Sequence, residues 1–296
     1  MLATRLVTAA VLAASLFAVI SFSDHVAVKV LYFCLFAGIA GTEFIALRWR
    51  SIEMRDNLIV KRPEIKPEHF FIGFLYGLAV VFLALGDYAM RSHMESGLAF
   101  VFVWCVVCSV GLSAWLYVTE RNMAFASAKL INAMAGFIYI SLPAVALYRM
   151  ASVSIEGAPI GIGVYFCLAV ALMGDTFAYF GGRLFGKRRL LPRVSPKKTL
   201  EGAYCGLIGS GITAVGVAWY FSFGVPLWIV FAVSVFAGAA GQIGDLMESA
   251  LKRVANCKDS SGLLPGHGGA LDRIDSVLFG APLCNLIFFF NDIRLW

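Results

Sequence analysis

Residues 225–246 read VPLWIVFAVSVFAGAAGQIGDL, an apolar run with two polar side chains, Gln242 and Asp245, near its end. About 20 mainly apolar residues in a helix cross the roughly 30 Å of bilayer hydrocarbon. Comparable apolar runs recur along the chain, at residues 6–22, 26–47, 70–90, 97–118, 130–150, 160–181, 202–222 and 276–291. The sequence therefore predicts an all-α, polytopic integral membrane protein with about nine transmembrane helices.

The overall composition supports the same fold class. Of the 296 residues, 60% are hydrophobic and 14% are charged, and the mean hydropathy is +0.83. These values lie outside those of ordinary globular domains. Nucleic acid is not an expected partner, because the chain has no soluble basic domain with interleaved aromatic residues.

The cations are unevenly distributed. Lysine and arginine resist translocation and collect in cytoplasmic loops. With nine spans and a cytoplasmic N-terminus, nearly all of them fall in the predicted cytoplasmic segments, at residues 1–5, 48–69, 119–129, 182–201 and 247–275. The net charge of +6 is then concentrated on one membrane face, where it attracts anionic lipid headgroups and nucleotides.

Polar residues divide the chain into two regions. Residues 1–150 hold apolar spans with few polar clusters and are expected to form a transmembrane scaffold. In residues 151–296, Asp175, Gln242 and Asp245 lie near the ends of spans, and ionisable groups at membrane depth mark functional sites. We therefore expect residues 151–296 to be a catalytic region with basic cytoplasmic loops at 182–201 and 247–275.

Two charged residues of the scaffold stand inside an apolar run. Lys29 and Glu43 are both in the second run, and a charged side chain is energetically costly to place in lipid. They either lie near opposite interfaces or line the protein interior.

The richest polar segment is residues 249–275, SALKRVANCKDSSGLLPGHGGALDRID. It opens with Ser-x-x-Lys-Arg and continues through a Lys-Asp pair and a Pro-Gly-His-Gly-Gly turn to a closing Asp-Arg-Ile-Asp. Two further blocks are DTFAYFGGR at 175–183, followed by Gly186 and Lys187, and SPKKTLEG at 195–202. Together they resemble the signature of the phosphatidate cytidylyltransferases, the CDP-diacylglycerol synthases, over residues 160–282.

The resemblance implies that CTP and phosphatidic acid react to give CDP-diacylglycerol and pyrophosphate, a step of phospholipid biosynthesis. Bringing two polyanions together requires magnesium and basic side chains that neutralise the developing charge. A lipid phosphate oxygen needs little activation, so no general base is assigned. CTP, phosphatidic acid and membrane lipids are the expected partners, at the cytoplasmic face of a bacterial inner membrane, and the abundant glycine would permit a homodimer.

Aspartates in these blocks are the expected magnesium ligands, for one or two metal ions. The resemblance supports Asp245 and Asp272 most strongly, with Asp275 beside them. Asp259 joins the catalytic group, and Asp175 is expected to face the same pocket as a substrate-binding group or further ligand. On a helix, Asp245 shares one face with Glu248 and Lys252, which follow it by three and seven residues, and Asp272 and Asp275 are also three apart. Two short carboxylate rows can therefore point at one polar pocket.

Basic residues in these blocks are the expected phosphate contacts. Four of them belong to the signature and are expected to be catalytic: Lys252, Arg253, Lys258 and Arg273. Four belong to the other two blocks and are expected to bind substrate: Arg183, Lys187, Lys197 and Lys198. An alternative is that some aspartates only form ion pairs with Lys252, Arg253 or Arg273.

Two local structures are expected to bind phosphate. Gly268 and Gly269 lack a Cβ and would let backbone amides approach phosphate oxygens, with His267 as a phosphate contact or as a turn residue. Ser195 is predicted to be the N-cap of a helix that continues through Glu201, an arrangement that attracts phosphate to the helix N-terminus.

Two other functions fit part of the sequence. The first keeps the chemistry and changes the acceptor, with a cytidylyl or phosphoryl group passing from CTP to another lipid such as a polyprenol. The second is an ion or lipid transporter, which would scatter charges along several spans and show inverted repeats. The charges here cluster in two loops, which favours an enzyme.

Overall fold

Helices dominate the computed structural model, which describes residues 2–22, 26–53, 63–92, 115–120, 122–265 and 268–294. The N-terminal elements are α1 (Leu2–Phe22), α2 (Val26–Glu53), α3 (Pro67–Ser92), α4 (Met123–Gly136), a π-helical turn (Phe137–Ser141) and α5 (Leu142–Met150). The C-terminal elements are α6 (Ile162–Phe185), β1 (Arg189–Leu191), β2 (Ser195–Thr199), α7 (Leu200–Tyr220), α8 (Leu227–Val254) and α9 (Leu271–Arg294).

Six helices in the described part of the chain are long and apolar enough to cross a membrane. They are α2, α3, the continuous α4–α5 stretch, α6, α7 and α8. The predicted all-α membrane architecture is therefore confirmed, whereas the predicted number of nine spans is not. Helix α1 carries only a shorter apolar stretch, Ala10–Ile20, α9 is not among the six, and most of the run 97–118 lies outside the described residues.

The chain divides into two compact units. Unit 1 contains Met1–Val19, His25–Tyr148 and Leu251–Arg273, and unit 2 contains Ile20–Asp24, Arg149–Ala250 and Ile274–Trp296. Most of the polar segment 249–275 thus belongs to unit 1 with the N-terminal helices. The functional division expected at residue 150 stays a prediction.

In unit 1, polar groups on α2, α3 and α4 bind one another. The Tyr76 hydroxyl donates to the Ala133 carbonyl at 2.6 Å, and Nε of Arg48 donates to Oδ1 of Asn132 at 2.7 Å. Lys129 forms an ion pair with Glu120. Such pairing is expected of helices in hydrocarbon, where every polar group must be satisfied within the protein.

In unit 2, α6 and α7 approach closely because small residues face each other. A Cβ placed on Gly202 would lie 2.6 Å from the Ala178 carbonyl oxygen and 2.9 Å from Cα of Gly182. Small residues at such contacts let membrane helices pack backbone to backbone. The hydroxyl of Ser210 on α7 also donates to the Val170 carbonyl on α6 at 3.1 Å.

A β-hairpin connects α6 to α7, which corrects the predicted helix start at Ser195. Strands β1 and β2 are antiparallel, with Arg189 opposite Thr199 and Leu191 opposite Ser195. Because a proline disfavours helical geometry in the preceding residue, Pro196 keeps Ser195 extended. The helix N-cap is instead Thr199, whose hydroxyl accepts a hydrogen bond from the Gly202 amide at 3.2 Å.

The close contact of α6 and α7 makes Gly202 sensitive to substitution. Gly202→Ala should lower the thermal unfolding temperature by a few degrees, because an added methyl in a packed contact costs about 1–3 kcal/mol. Gly216→Ala is the matched control on the same helix, since a Cβ there meets nothing within 4 Å. Thermal unfolding of both variants in lipid nanodiscs measures the difference, and equal shifts would contradict the contact.

Candidate active site

Unit 2 contains a cavity of about 560 Å³ with walls from α6, the hairpin, α7 and α8. Its charged lining side chains are Asp175 and Arg183 on α6, Lys197 and Lys198 on β2, and Asp245 on α8. The volume lies within the roughly 300–1,000 Å³ of small-molecule sites. The structure therefore brings five of the predicted site residues to one cavity.

An ion pair links the hairpin to α8 at this cavity. Nζ of Lys198 pairs with Oδ2 of Asp245, and the two side chains keep 31% and 28% of their surface exposed. Asp175 lies within electrostatic range of both, repelled by Asp245 and attracted by Lys198. Two carboxylates from two helices thus share a wall with one ammonium group that is accessible to solvent.

Gln242 fixes the wall that carries Asp245. Its Nε2 donates to the Ala203 carbonyl on α7 at 3.1 Å. Residues three apart on a helix share a face, so this bond also orients Asp245. The sequence marked Gln242 as polar at membrane depth but assigned it no role in the site.

Glu201 holds the start of the hairpin and was also not predicted as a site residue. Its Oε2 accepts from the backbone amides of Lys187 at 3.0 Å and Arg188 at 3.2 Å. Because Glu201 is in the first turn of α7, these bonds tie the chain leaving α6 to the helix that follows the hairpin. The exposed Lys187 side chain and Ser195 are not among the residues that line the cavity.

In unit 1, Asp272 organises the turn that precedes α9. Its Oδ1 accepts from Nζ of Lys252 at 2.7 Å. Its Oδ2 accepts from the amides of Ser260 at 3.0 Å and Gly269 at 2.8 Å, and the Ser260 hydroxyl is 2.9 Å from the same oxygen. Asp272 thus forms an ion pair with Lys252, and its predicted role as a metal ligand stays a prediction.

The two predicted phosphate-loop glycines are required by local packing. Gly268 has a φ of +83°, in the left-handed region that favours glycine, and its carbonyl accepts from the Leu264 amide at 2.9 Å. A Cβ on Gly269 would overlap the Ser260 hydroxyl and the Glu43 carboxylate. Their predicted contact with phosphate stays a prediction, and His267 lies outside the described residues.

The remaining predicted residues are divided between the units. In unit 1 the side chains of Arg253, Lys258 and Arg273 are exposed, and Asp259 is partly buried beside Gly268. In unit 2, Oδ1 of Asp275 accepts from the Ser276 amide at 2.8 Å.

Glu43 contacts the signature segment, which the sequence did not predict. The residue is on α2 and is 1% exposed. Its carboxylate accepts hydrogen bonds from Ser260, Ser261, Ala270 and Leu271. The signal in the sequence was a carboxylate inside an apolar run, which indicated an unusual residue but not its partners.

The unit 2 cavity contains carboxylates of the kind that magnesium binds. Among the described residues, no group of three or more His, Cys, Asp or Glu side chains could hold a metal ion by itself. Magnesium is usually held by one or two carboxylates, with substrate phosphates and water completing its shell. Asp175 and Asp245 are the carboxylates of the cavity wall, so the donor set is of the right kind.

The sequence comparisons agree with this chemistry. A model of the Cytidylyltransferase family matches residues 3–291. The chain belongs to this family. Among relatives of this cytidylyltransferase, the phosphatidate cytidylyltransferase of Staphylococcus haemolyticus is 31% identical over 219 residues, which are 73% of this chain and 78% of the relative.

Shorter matches to other cytidylyltransferases are closer in sequence. The phosphatidate cytidylyltransferase of Staphylococcus saprophyticus is 44% identical over 124 residues, which are 42% of this chain and 48% of the relative. The phosphatidate cytidylyltransferase of Staphylococcus aureus is 40% identical over 124 residues, which are again 42% of this chain and 48% of the relative. The prediction of a membrane-embedded nucleotidyltransferase is thus confirmed.

The N-cap at the cavity edge makes a testable contribution to the stability of this cytidylyltransferase. Thr199→Ala removes the acceptor for the Gly202 amide and should lower the free energy of unfolding by about 1 kcal/mol, whereas Thr199→Ser keeps it. Thr213→Ala is the control on α7, because the hydrogen bond that its hydroxyl makes among the described residues is to the Gly209 carbonyl of its own helix, at 2.8 Å. Thermal unfolding of the three variants in nanodiscs measures their stabilities. Equal losses of stability for Thr199→Ala and Thr199→Ser would contradict the capping role.

Proposed function

We propose that this cytidylyltransferase transfers the cytidylyl group of CTP to phosphatidic acid, giving CDP-diacylglycerol and pyrophosphate, with magnesium as cofactor. The observation that carries the proposal is the unit 2 cavity, where two carboxylates and three cations line one space. The names of the bacterial relatives, phosphatidate cytidylyltransferases, support phosphatidic acid as the acceptor.

The charges of the cavity suit a reaction between two phosphates. Arg183, Lys197 and Lys198 oppose Asp175 and Asp245, which leaves one net positive charge for binding polyanions. Basic groups placed where charge develops are the main source of catalysis in such transfers. Both lysines are on β2, which pairs with β1 and leads directly into the capped start of α7, so they are positioned before substrate arrives.

The proposed reaction is an in-line displacement at the α-phosphorus of CTP. A phosphate oxygen of phosphatidic acid forms the new bond, while the bond from the α-phosphorus to the oxygen bridging to the β-phosphorus breaks. Pyrophosphate leaves with that electron pair. When bound, magnesium would be held by Asp175 and Asp245 and would neutralise charge on the triphosphate. Lys197, Lys198 and Arg183 would bind the phosphate oxygens.

The resemblance also assigns roles to residues outside this cavity, and we retain them as proposals. Metal ligation is proposed for Asp272 and Asp275, and substrate contact for Ser195, Lys187, Gly268 and Gly269. Catalytic contacts with phosphate are proposed for Lys252, Arg253, Lys258, Asp259, His267 and Arg273. Of these, Asp272 and Lys252 are seen paired with each other.

We further propose that the enzyme works at the cytoplasmic face of a bacterial inner membrane, with its N-terminus also cytoplasmic. The relatives are bacterial, and the basic loops follow the positive-inside bias. The homodimer stays a prediction.

The metal-binding roles of Asp175 and Asp245 are tested by pyrophosphate release from CTP in phosphatidic-acid micelles. Asp175→Asn and Asp245→Asn should each lower kcat by at least about 100-fold, because each removes a negative charge proposed to hold magnesium in the transition state. Removal of magnesium by EDTA should abolish the wild-type activity, and added magnesium should restore it.

Glu156→Gln is the matched control, because it makes the same chemical change in an exposed loop. It should keep wild-type activity. Folding of each variant is checked by thermal unfolding. Folded Asn variants with wild-type rates would contradict the assigned roles.

The acceptor is tested by offering several lipids with CTP at one magnesium concentration. Phosphatidic acid should give the highest kcat/KM, and CDP-diacylglycerol should be the lipid product by mass spectrometry. A polyprenol and a polyprenyl phosphate are the competing acceptors. If either outranks phosphatidic acid, the enzyme acts on a different lipid with the same nucleotide chemistry.

A further inference from the structure

Glu43 connects the N-terminal scaffold to the signature segment within unit 1. We define the signature loop as residues 255–265 and 268–270, which follow α8 and precede α9. Oε1 of Glu43 accepts from the Ser261 hydroxyl at 2.5 Å and the Ala270 amide at 3.0 Å. Oε2 accepts from the Leu271 amide at 2.8 Å, and the Ser260 hydroxyl lies 3.1 Å from it.

These contacts join the first half and the end of the signature loop to one side chain. Ser260 and Ser261 lie in the first half, Ala270 is the last residue of the loop, and Leu271 begins α9. The first amides of a helix lack partners within the helix. Glu43 therefore provides the cap of α9 from a different helix.

A second residue of α2 holds the start of the loop. Nε of Arg50 donates to the Ala255 carbonyl at 2.9 Å. Arg50 is seven residues after Glu43, which is about two helical turns and therefore the same face of α2. One face of a membrane helix thus contacts the loop at its start, in its first half and at its end.

The same contacts determine the position of the polar residues of the loop. The Ser260 hydroxyl, which carries one proton, lies between Glu43 and Asp272. Asp272 in turn binds the Gly269 amide and Lys252. A shift of the Glu43 carboxylate would therefore move Ser260, the glycine turn and the Lys252–Asp272 pair together.

We propose that Glu43 is a positioning residue for cytidylyl transfer, which holds the signature loop in its reactive conformation without contacting substrate. This inference rests on the proposed function, because the loop carries Lys258 and Asp259 and borders the Lys252–Asp272 pair. A displacement of about 1 Å of groups that bind a reacting phosphate is enough to slow a reaction by about 100-fold.

Both carboxylate oxygens are required, and this distinguishes glutamate from glutamine. Each oxygen accepts from one serine hydroxyl and one backbone amide. A serine hydroxyl can turn to accept a hydrogen bond, but a backbone N–H cannot. Either orientation of a glutamine would therefore place its NH₂ group against the Ala270 or Leu271 amide.

The test combines a rate measurement with a measurement of loop order. In Glu43→Gln, kcat for pyrophosphate release should fall about 10- to 100-fold per folded enzyme, while KM for CTP stays within about threefold of wild type. Amide hydrogen exchange of the peptide covering 255–273 should become about tenfold faster or more. Thr42→Val is the control at the neighbouring position on α2, because, within the described part of the chain, the Thr42 hydroxyl bonds the Gly38 carbonyl of its own helix, at 2.9 Å. It should change neither quantity.

Ser261→Ala is the second variant, for the case that Glu43→Gln does not fold. It removes one uncharged donor and should produce smaller changes in the same direction. In the double variant the two effects should be less than additive, because both act through one hydrogen bond.

Each outcome separates this proposal from the proposed function. Unchanged exchange in the loop, or faster exchange with unchanged kcat, would overturn the positioning role. The wild-type enzyme could be inactive with phosphatidic acid while Glu43→Gln still exchanges faster in the loop alone. That result would support the role of Glu43 as a loop anchor and overturn the assignment of phosphatidic acid as the acceptor. A lower yield of folded protein with unchanged kcat would show that Glu43 is only structural.

Discussion

A carboxylate buried among apolar helices is stable only where donors inside the protein replace water, because hydrocarbon provides none. This constraint explains much of the structure. Glu43 is matched by serine hydroxyls and backbone amides, and Asp272 by Lys252 and the glycine turn. The partly exposed Asp245 is paired with Lys198. Ser261 is 218 residues from Glu43, and Lys198 is 47 residues from Asp245. Satisfying these charges therefore also fixes the tertiary structure around them.

Hydrophobicity was sufficient to predict the six membrane-length helices found in the described part of the chain, since hydrocarbon thickness sets the length of an apolar run. The run at 26–47 corresponds to α2, yet the helix continues to Glu53. It continues because Arg48 and Arg50 find acceptors on Asn132 and Ala255. The polar blocks also led to the residues of the unit 2 cavity, because their charges are unusual beside apolar spans.

The contacts made by Glu43 and the structure around Ser195 were not predictable in the same way. The sequence SPKKT at residues 195–199 is compatible with either a capped helix start or a strand. Pairing with β1 stabilises the strand. For Glu43, the partners are more than 200 residues away. One local signal did exist: Ala270 precedes α9 and has no side-chain acceptor, so the first amides of that helix needed a cap from elsewhere.

The signature loop also shows why an anchor on a membrane helix is effective. Glycines lose more conformational freedom on ordering than other residues, so the segment around Gly268 and Gly269 is costly to hold in one conformation. Helix α2 is already ordered by its packing in unit 1, and a single side chain on it binds the first half and the end of the loop. If the loop detached, Glu43 would remain buried without its donors, a state that costs more than the separate hydrogen bonds. The buried charge that is unfavourable within an apolar helix thus favours a closed loop before substrate binds.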